Sequence, residues 1–331
     1  MALPDAAARR SVLASRVALQ RDVGDLATLV TSNGVNEWVL SPIEVRSAGE
    51  GRGLGVFAAR DLLAGERLVA ESPLVHWPNP RATQNSYMAL EAIVSRLDAT
   101  RTQQFWAFGQ SSDVHGDAKT VKGTWLTNAL AIVYNGQPAE QAQTADGPGE
   151  AAMFLRVSRF NHHCAPSCHY EWNNALRQMT VHVLRNVRAG EELTLSYLAP
   201  SGRVKTERQG MLLKDFGFLC DCSKCSLTGA ALAQSNGNQK AIGDLRHDKL
   251  PDGTDQCSSR FGAAPDALLA LLHKEGLPEI WARTAYYSAM MTDDARSAYW
   301  AGRLADCLRT AMGSDHPSVE QYAMARTLGP R

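Results

Sequence analysis

The sequence predicts an α+β chain, with short strands and glycine turns gathered in its middle and helices toward both ends. Three observations carry that expectation. Strand-like runs alternate with turns over residues 38–71 and again over 168–198. Helical periodicity covers residues 5–30, 84–108 and most of the chain after 264. Three cysteines stand together in Cys220-Asp221-Cys222-Ser223-Lys224-Cys225, a spacing that an ordinary apolar core does not absorb.

Taken in order, residues 5–30 place Ala, Leu, Val and Arg at helical spacing and stop at Ser32-Asn33-Gly34. Residues 38–45 and 56–58 read as short strands, Leu62-Leu63-Ala64-Gly65-Glu66 as a turn, and 67–71 as the next strand. Pro73, Pro78 and Pro80 then break the chain. Residues 84–108 predict a helix with Met88, Leu90, Ile93, Val94 and Leu97 on one face. Residues 136–150 read as a loop. Strands at 180–184 and 193–198 flank the turn Arg188-Ala189-Gly190. A Gly-, Ser-, Asn- and Asp-rich connector is expected from about 226 to 264. Helices follow at 267–272, 279–291, 295–312 and 319–327, paired in the manner of a tetratricopeptide array but too few for a free-standing one.

Composition bounds the function. The 331 residues, 44% of them hydrophobic, suffice for one large or two small domains with true cores. Lysine plus arginine and aspartate plus glutamate both number 34, so no basic excess points to nucleic acid and direct nucleic-acid binding is not expected. No run approaches the roughly 18 apolar residues of a membrane span. The N-terminus lacks a secretory apolar region. Arg9, Arg10, Arg16 and Arg21 give it some transit-peptide flavour, against which Asp5, Asp22 and Asp25 weigh. Seven cysteines, four of them in the blocks below, suit a metal in a reducing compartment better than a disulfide framework. An intracellular location, nuclear or cytoplasmic, is expected.

Four blocks carry the chemistry. Arg52-Gly53-Leu54-Gly55 is a glycine turn between strand-like runs, and glycine lets backbone approach a ligand closely. The helix that would follow a dinucleotide- or phosphate-binding glycine loop is missing. The second block is Arg159-Phe160-Asn161-His162-His163-Cys164-Ala165-Pro166, the third Gly190-Glu191-Glu192-Leu193-Thr194-Leu195-Ser196-Tyr197. The fourth runs from Phe216-Gly217-Phe218 into the cysteines. Three thiols in CxCxxC suit tetrahedral Zn²⁺, which takes a fourth ligand from elsewhere.

In this order the blocks resemble a SET-domain methyltransferase, most closely the branch related to SET–MYND proteins and fungal SET proteins with a helical C-terminus. The resemblance spans about residues 38–227. It implies a β-rich core of small twisted sheets with a threaded C-terminal segment, a helical insertion, a zinc-bound post-SET turn and a C-terminal helical, tetratricopeptide-like subdomain. The corresponding divisions are 1–37 (N-terminal helical), 38–78 and 151–200 (core), 79–150 (insertion), 201–227 (zinc segment), 228–264 (linker) and 265–331 (helical subdomain). Residues 72–130 contain no cysteine, so the MYND zinc module is not expected. The family usually has Ser where His163 stands, and Asn where Ser167 follows Pro166.

Residue by residue, the resemblance implies that Arg52, Gly53, Leu54 and Gly55 form the first S-adenosyl-L-methionine loop and that Asn128 belongs to the second. Asn161 and His162 match the pair that grips the cofactor. Tyr197 matches the catalytic tyrosine at the transfer site. Phe218 closes over adenine and the acceptor channel, which Tyr197 and Phe216 also line. Cys164 joins Cys220, Cys222 and Cys225 on a structural Zn²⁺. His163 reads as a surface residue, a substrate contact or an alternative metal ligand, Cys168 as a structural thiol or an alternative metal ligand, and Glu191-Glu192 as a turn charge pair without catalytic part. Cys257 and Cys307 read as structural thiols.

The expected reaction is methylation of a protein lysine. A sulfonium beside a lysine ammonium, about 4 Å away at an effective dielectric near 20, repels it by about 4 kcal/mol. That is an acidity shift of about three units, enough to remove much of the need for a strong base. Two alternatives stand beside it: a small-molecule carboxylate or hydroxyl as acceptor, and a non-catalytic zinc-containing scaffold that binds proteins.

Overall fold

A computed structural model of the chain describes residues 41–78, 84–132, 143–144, 147–148, 150–198, 202–246, 264–292 and 295–328. The expected N-terminal helix, most of the 136–150 loop, the stretch 247–263 and Cys257 lie outside these residues.

The chain opens with strands β1 (Ile43–Ser47), β2 (Leu54–Ala58), β3 (Arg67–Glu71) and β4 (Val75–Trp77). Four helices follow: α1 (Gln84–Val94), α2 (Ala99–Trp106), α3 (Ser112–His115) and α4 (Val121–Asn128). Next come the short strands β5 (Leu130–Ala131), β6 (Gln143–Thr144), β7 (Gly147–Pro148), β8 (Ala151–Met153) and β9 (Asn161–His162). Strands β10 (Cys168–Asn173), β11 (Gln178–Val183) and β12 (Glu192–Leu195) complete the sheets. The rest is helical: α5 (Lys205–Phe216), α6 (Gly229–Arg246), α7 (Ala264–Glu275), α8 (Arg283–Thr292), α9 (Ser297–Met312) and α10 (Pro317–Leu328).

The strands form small separate sheets in the orders β1-β2-β12-β9, β10-β11-β3 and β4-β8-β5, with β6-β7 a ribbon. Strand β12 decides the site. It lies between β2, to which it is antiparallel, and β9, to which it is parallel in the register Thr194↔Asn161 and Leu195↔His162. Three stretches far apart in sequence are thereby brought side by side. One core lies between the first two sheets and includes Val56, Leu62, Phe154, Phe160, Val181 and Leu193. A second fills the insertion, where Trp77, Leu90, Phe105, Phe108 and Trp125 pack together. A third belongs to the C-terminal helices, centred on Leu272, Tyr286, Trp300 and Leu308.

Two expectations need correction. The single helix over 84–108 is two helices. Asp98 caps the second by accepting a hydrogen bond from Arg101 N, which resets the helical phase beyond it. Within the first helix Leu90 and Val94 face the core, and Met88, off that face, is 65% exposed. The linker from 228 is helical as far as Arg246: α6 buries Ser235, Gln239 and Ile242 against its neighbours despite interior glycines. The expected C-terminal helices are present, with Glu279–Ala282 a 3-10 turn ahead of α8. Helix α9 packs on α8, α10, β10 and β11, so the C-terminal helices sit on the β10-β11-β3 sheet.

Candidate active site

Strand β9, the first residue of β2 and Tyr197, just past β12, meet the segment 216–221 at one cleft of about 240 Å³. Of the residues expected at the cofactor, Arg52, Gly53, Leu54, Asn128, Asn161, His162 and Phe218 line it, as do Tyr197 and Phe216. Gly55 does not. It lies on β2 behind the cleft, where a Cβ would come within 2.7 Å of Glu192 Oε1 and 2.9 Å of Asn161 Nδ2. Gly55 therefore makes room for those two side chains instead of approaching a ligand.

The Tyr197 hydroxyl donates to Phe160 O at 2.8 Å, and burial holds the phenol well above its ordinary pKa. The phenol is neutral across the physiological range. Its ring stands 4.9 Å from that of Phe216 and 6.4 Å from that of Phe218, and the two phenylalanine rings are 6.5 Å apart. The three rings thus pack into one aromatic cluster on the cleft wall, a setting that attracts cations and accepts an apolar stem. Helix α5 ends at Gly217, in the left-handed region with φ +73°, which turns Phe216 and Phe218 toward this cluster.

His162 is committed to protein partners at both ring nitrogens. Its Nδ1 accepts from Tyr197 N at 3.0 Å, which leaves the proton on Nε2, 3.4 Å from Cys164 Sγ. Burial pushes its pKa down to about 4. The imidazole is therefore a neutral brace between the Tyr197 backbone and the cysteine cluster. Asn128 donates from Nδ2 to Gly109 O (2.7 Å) and Thr124 O (2.8 Å), closing α4 against the preceding loop.

The thiols of Cys164, Cys220, Cys222 and Cys225 come together with all four Sγ atoms within 4.8 Å of one another. Cys164 Sγ is 3.9 Å from Cys220 Sγ and 3.6 Å from Cys225 Sγ. Four sulfurs about 2.3 Å from one Zn²⁺ would be separated by about 3.8 Å, so the donor set and spacing fit a tetrahedral zinc. The alternative ligands fall away. His163 Nδ1 accepts from Ala165 N, and its Nε2 pairs with Ser223 Oγ at 3.3 Å. Cys168 is buried in the core between the sheets, and burial pushes its thiol up to about 12. Cys307 is likewise a core thiol, on α9.

Sequence reasoning missed several groups. Arg159 lines the cleft with its guanidinium 3.8 Å from the Phe108 ring centroid. Burial lowers its pKa to about 10, opposed by Glu71, so it is still a cation. Gln110, Ser111, Asp113 and Asp221 also line the cleft, supplied by the insertion and the cysteine loop. Arg208 of α5 donates to Cys164 Sγ at 3.3 Å, reaches Cys225 Sγ at 3.8 Å, and is only 7% exposed. Glu192, read as a turn charge, pairs with Arg52 at 2.8 Å and accepts from Asn161 at 2.8 Å. The doubled acid after Gly190 was the one available signal for Glu192; for Arg159 and Arg208 there was none beyond their neighbours.

Residues 53–198 match the family model described as SET domain. The chain is 33% identical over 200 residues to histone-lysine N-methyltransferase set5 of Schizosaccharomyces pombe, covering 60% of this chain and 53% of that protein. It is 37% identical over 90 residues to histone-lysine N-methyltransferase ATXR4 of Arabidopsis thaliana, covering 26% of this chain and 27% of that one. The chain thus spans about half the length of the first relative and less of the second. Among solved structures, the SET domain of LSMT bound to lysine and AdoHcy aligns with a TM-score of 0.40 at 11% identity, over 94% of this chain and 85% of that chain. No helix among the described residues is long and apolar enough to cross a membrane. Gly53-Leu54-Gly55, the Asn161-His162 strand and the strand leading to Tyr197 all fall inside the span, residues 53–198, that matches the SET domain.

Proposed function

We propose that the chain is an S-adenosylmethionine-dependent methyltransferase acting on a lysine side chain of a protein. The observation that carries the reading is the aromatic cluster of Tyr197, Phe216 and Phe218 on the wall of the cleft. A lysine needs apolar walls for its methylene stem and electron-rich faces for its nitrogen. A wide basic pocket, which a carboxylate acceptor would want, is not what these rings make.

S-adenosylmethionine, when bound, supplies an electrophilic methyl group on a sulfonium. The chain's own residues do the rest. Backbone of Arg52, Gly53 and Leu54, with Asn161 and Asn128, lines the part of the cleft that would hold the cofactor. The Arg159 cation suits the carboxylate of its amino-acid end. The Tyr197 oxygen, fixed by donation to Phe160 O, keeps lone pairs free to orient an incoming amine. Asp113 and Asp221 at the cleft suit a substrate segment with further positive charge. Zinc on the four cysteines would hold the loop carrying Phe218 against the strand carrying His162, since Cys164 and Tyr197 belong to one buried cluster with Phe216 and Phe218. The relatives' names make histones the first acceptors to try, and a histone acceptor places the protein in the nucleus.

The test is incubation of the metal-replete protein with methyl-labelled cofactor, core histones and a metabolite extract, followed by mass spectrometry. Label on lysine of a histone or another protein is the expected result. Label confined to small molecules would refute the acceptor, and no cofactor binding by calorimetry would favour a scaffold. Tyr197→Phe keeps the ring and removes the hydroxyl. It is expected to slow transfer by about 100-fold while leaving cofactor affinity nearly unchanged.

A further inference from the structure

Glu192 sits at the crossing of the cofactor loop and the Asn161-His162 strand, and it has no part in the chemistry outlined above. Its carboxylate is bonded on both oxygens. Oε2 accepts from Arg52 Nη2 at 2.8 Å, and Oε1 accepts from Asn161 Nδ2 at 2.8 Å. The Asn161 amide nitrogen also donates to Leu54 O at 3.1 Å. Both partners of that nitrogen, a carboxylate and a carbonyl, can only accept. The Asn161 amide therefore has one permitted orientation: its two N–H groups point into the protein. Among the described residues no donor meets Oδ1, and Asn161 lines the cleft. The sheet provides for this clamp, since Gly55 leaves the space that Glu192 Oε1 and Asn161 Nδ2 fill.

From this arrangement we infer that Glu192 is a positioning residue that fixes the Asn161 side chain so that the cleft presents a hydrogen-bond acceptor, selecting the N–H-bearing face of the ligand. The inference rests on the cofactor reading above. In that reading the ligand offers N–H donors at its adenine amino group and at its α-ammonium, and Asn161 Oδ1 takes one of them. Arg52 holds the other carboxylate oxygen, which stops the clamp from swinging away. Replacing Glu192 by glutamine keeps the shape but supplies a donor as well as an acceptor. Leu54 O is then the remaining acceptor-only partner of the Asn161 amide, so the flipped orientation, which does not suit the ligand, gains population.

A double-mutant cycle on the metal-replete protein tests this, with S-adenosylmethionine affinity by calorimetry as the readout. Glu192→Gln is expected to weaken binding about tenfold, the range for losing a hydrogen bond to a charged group. In an Asn161→Ala background the same change should cost less than about twofold, because the side chain it acts through is gone. A purely structural role for Glu192 would cost the same in both backgrounds, and that result, or no loss in the single variant, overturns the inference. Thermal midpoints of the four proteins without cofactor show whether any of them is misfolded; if Glu192→Gln is, Glu192→Asp, which keeps the charge on a shorter arm, replaces it in the cycle with the same expected non-additivity. Wild-type protein that binds no cofactor would instead refute the cofactor reading itself, so the two failures are distinguishable.

Discussion

Arg208 shows how much a single residue adds to the cysteine site. Four thiolates around Zn²⁺ carry a net charge of −2, and burying that charge without compensation is costly. Burial alone would lower the Arg208 guanidinium, but charge on Cys164 and Cys225 and bonds to their sulfurs raise it above its ordinary value. The same side chain donates from Nη1 to Arg203 O, so the cation is held at three points. Replacing it with methionine keeps the volume and removes the charge. Arg208→Met is expected to weaken zinc binding by about 10- to 100-fold, the usual cost of removing a partner that supports metal ligands. Competition with a chromophoric chelator measures this directly, independently of any enzyme activity. Arg208→Lys, which restores the charge without the fork, should recover part of the loss.

At the scale of elements, Gly217 is where α5 hands over to the cysteine loop. Its φ of +73° is left-handed, and an added Cβ would overlap the Ser111 hydroxyl oxygen and sit 3.3 Å from Asp113 Cβ. Helix end and insertion are therefore packed backbone to side chain, and both aromatic residues beside Gly217 depend on that fit. Gly217→Ala should lower stability by about 1–3 kcal/mol through backbone strain alone. Its thermal midpoint should rise again, though not fully, when Ser111→Gly removes the overlapping atom. Much of this region was legible in advance. The spacing of Cys220, Cys222 and Cys225 announced a thiol cluster, and the order of the blocks placed Cys164, Tyr197 and the phenylalanines beside it. What could not be read was pairing across the fold. Glu192 looked like a turn acid because its partners lie 31 and 140 residues away. Arg208 carried no signal of its own because its sulfur partners lie 44 and 17 residues away. Helix α6 looked like a linker because its glycines and polar residues lower helix propensity, whereas its helicity comes from packing Ile242 and its neighbours. The doubled helix at 84–106 was hidden because apolar spacing alone does not register a cap at Asp98.

For the whole molecule, the seam between the β10-β11-β3 sheet and the C-terminal helices is built from charged and titratable groups as well as apolar ones. Arg67 on β3 pairs with Asp315 at 2.6 Å, Arg283 on α8 with Glu171 on β10 at 3.2 Å, and His316 with Trp172 O at 3.2 Å. His182 on β11 lies beneath the end of α9, close enough that a Cβ on Gly313 would meet its Nε2 at 2.7 Å. It is 1% exposed, and its Nδ1 has no partner among the described residues. Burial, with the nearby positive charge of Arg67, pushes its pKa down to about 4. His316 is lowered as well, chiefly by burial. A histidine whose folded pKa lies below its unfolded value excludes a proton that the unfolded chain takes up. Its contribution to stability is complete above about pH 7 and is lost as pH falls from 6.5 toward 4. Glu171 and Asp315 act in a lower window: burial would raise both, but their partners hold them below ordinary values, so their contributions persist until pH drops beneath about 4. Between pH 7.5 and 5.5 the slope therefore belongs to histidine. His182 alone should account for about 1 kcal/mol of lost stability at pH 5.5, and about 3 kcal/mol across its full range. Urea denaturation of the metal-replete protein at the two pH values checks it. His182→Asn should be less stable than wild type at pH 7.5 yet lose less on acidification, and an unchanged pH slope in that variant would show that the seam is not where the proton enters.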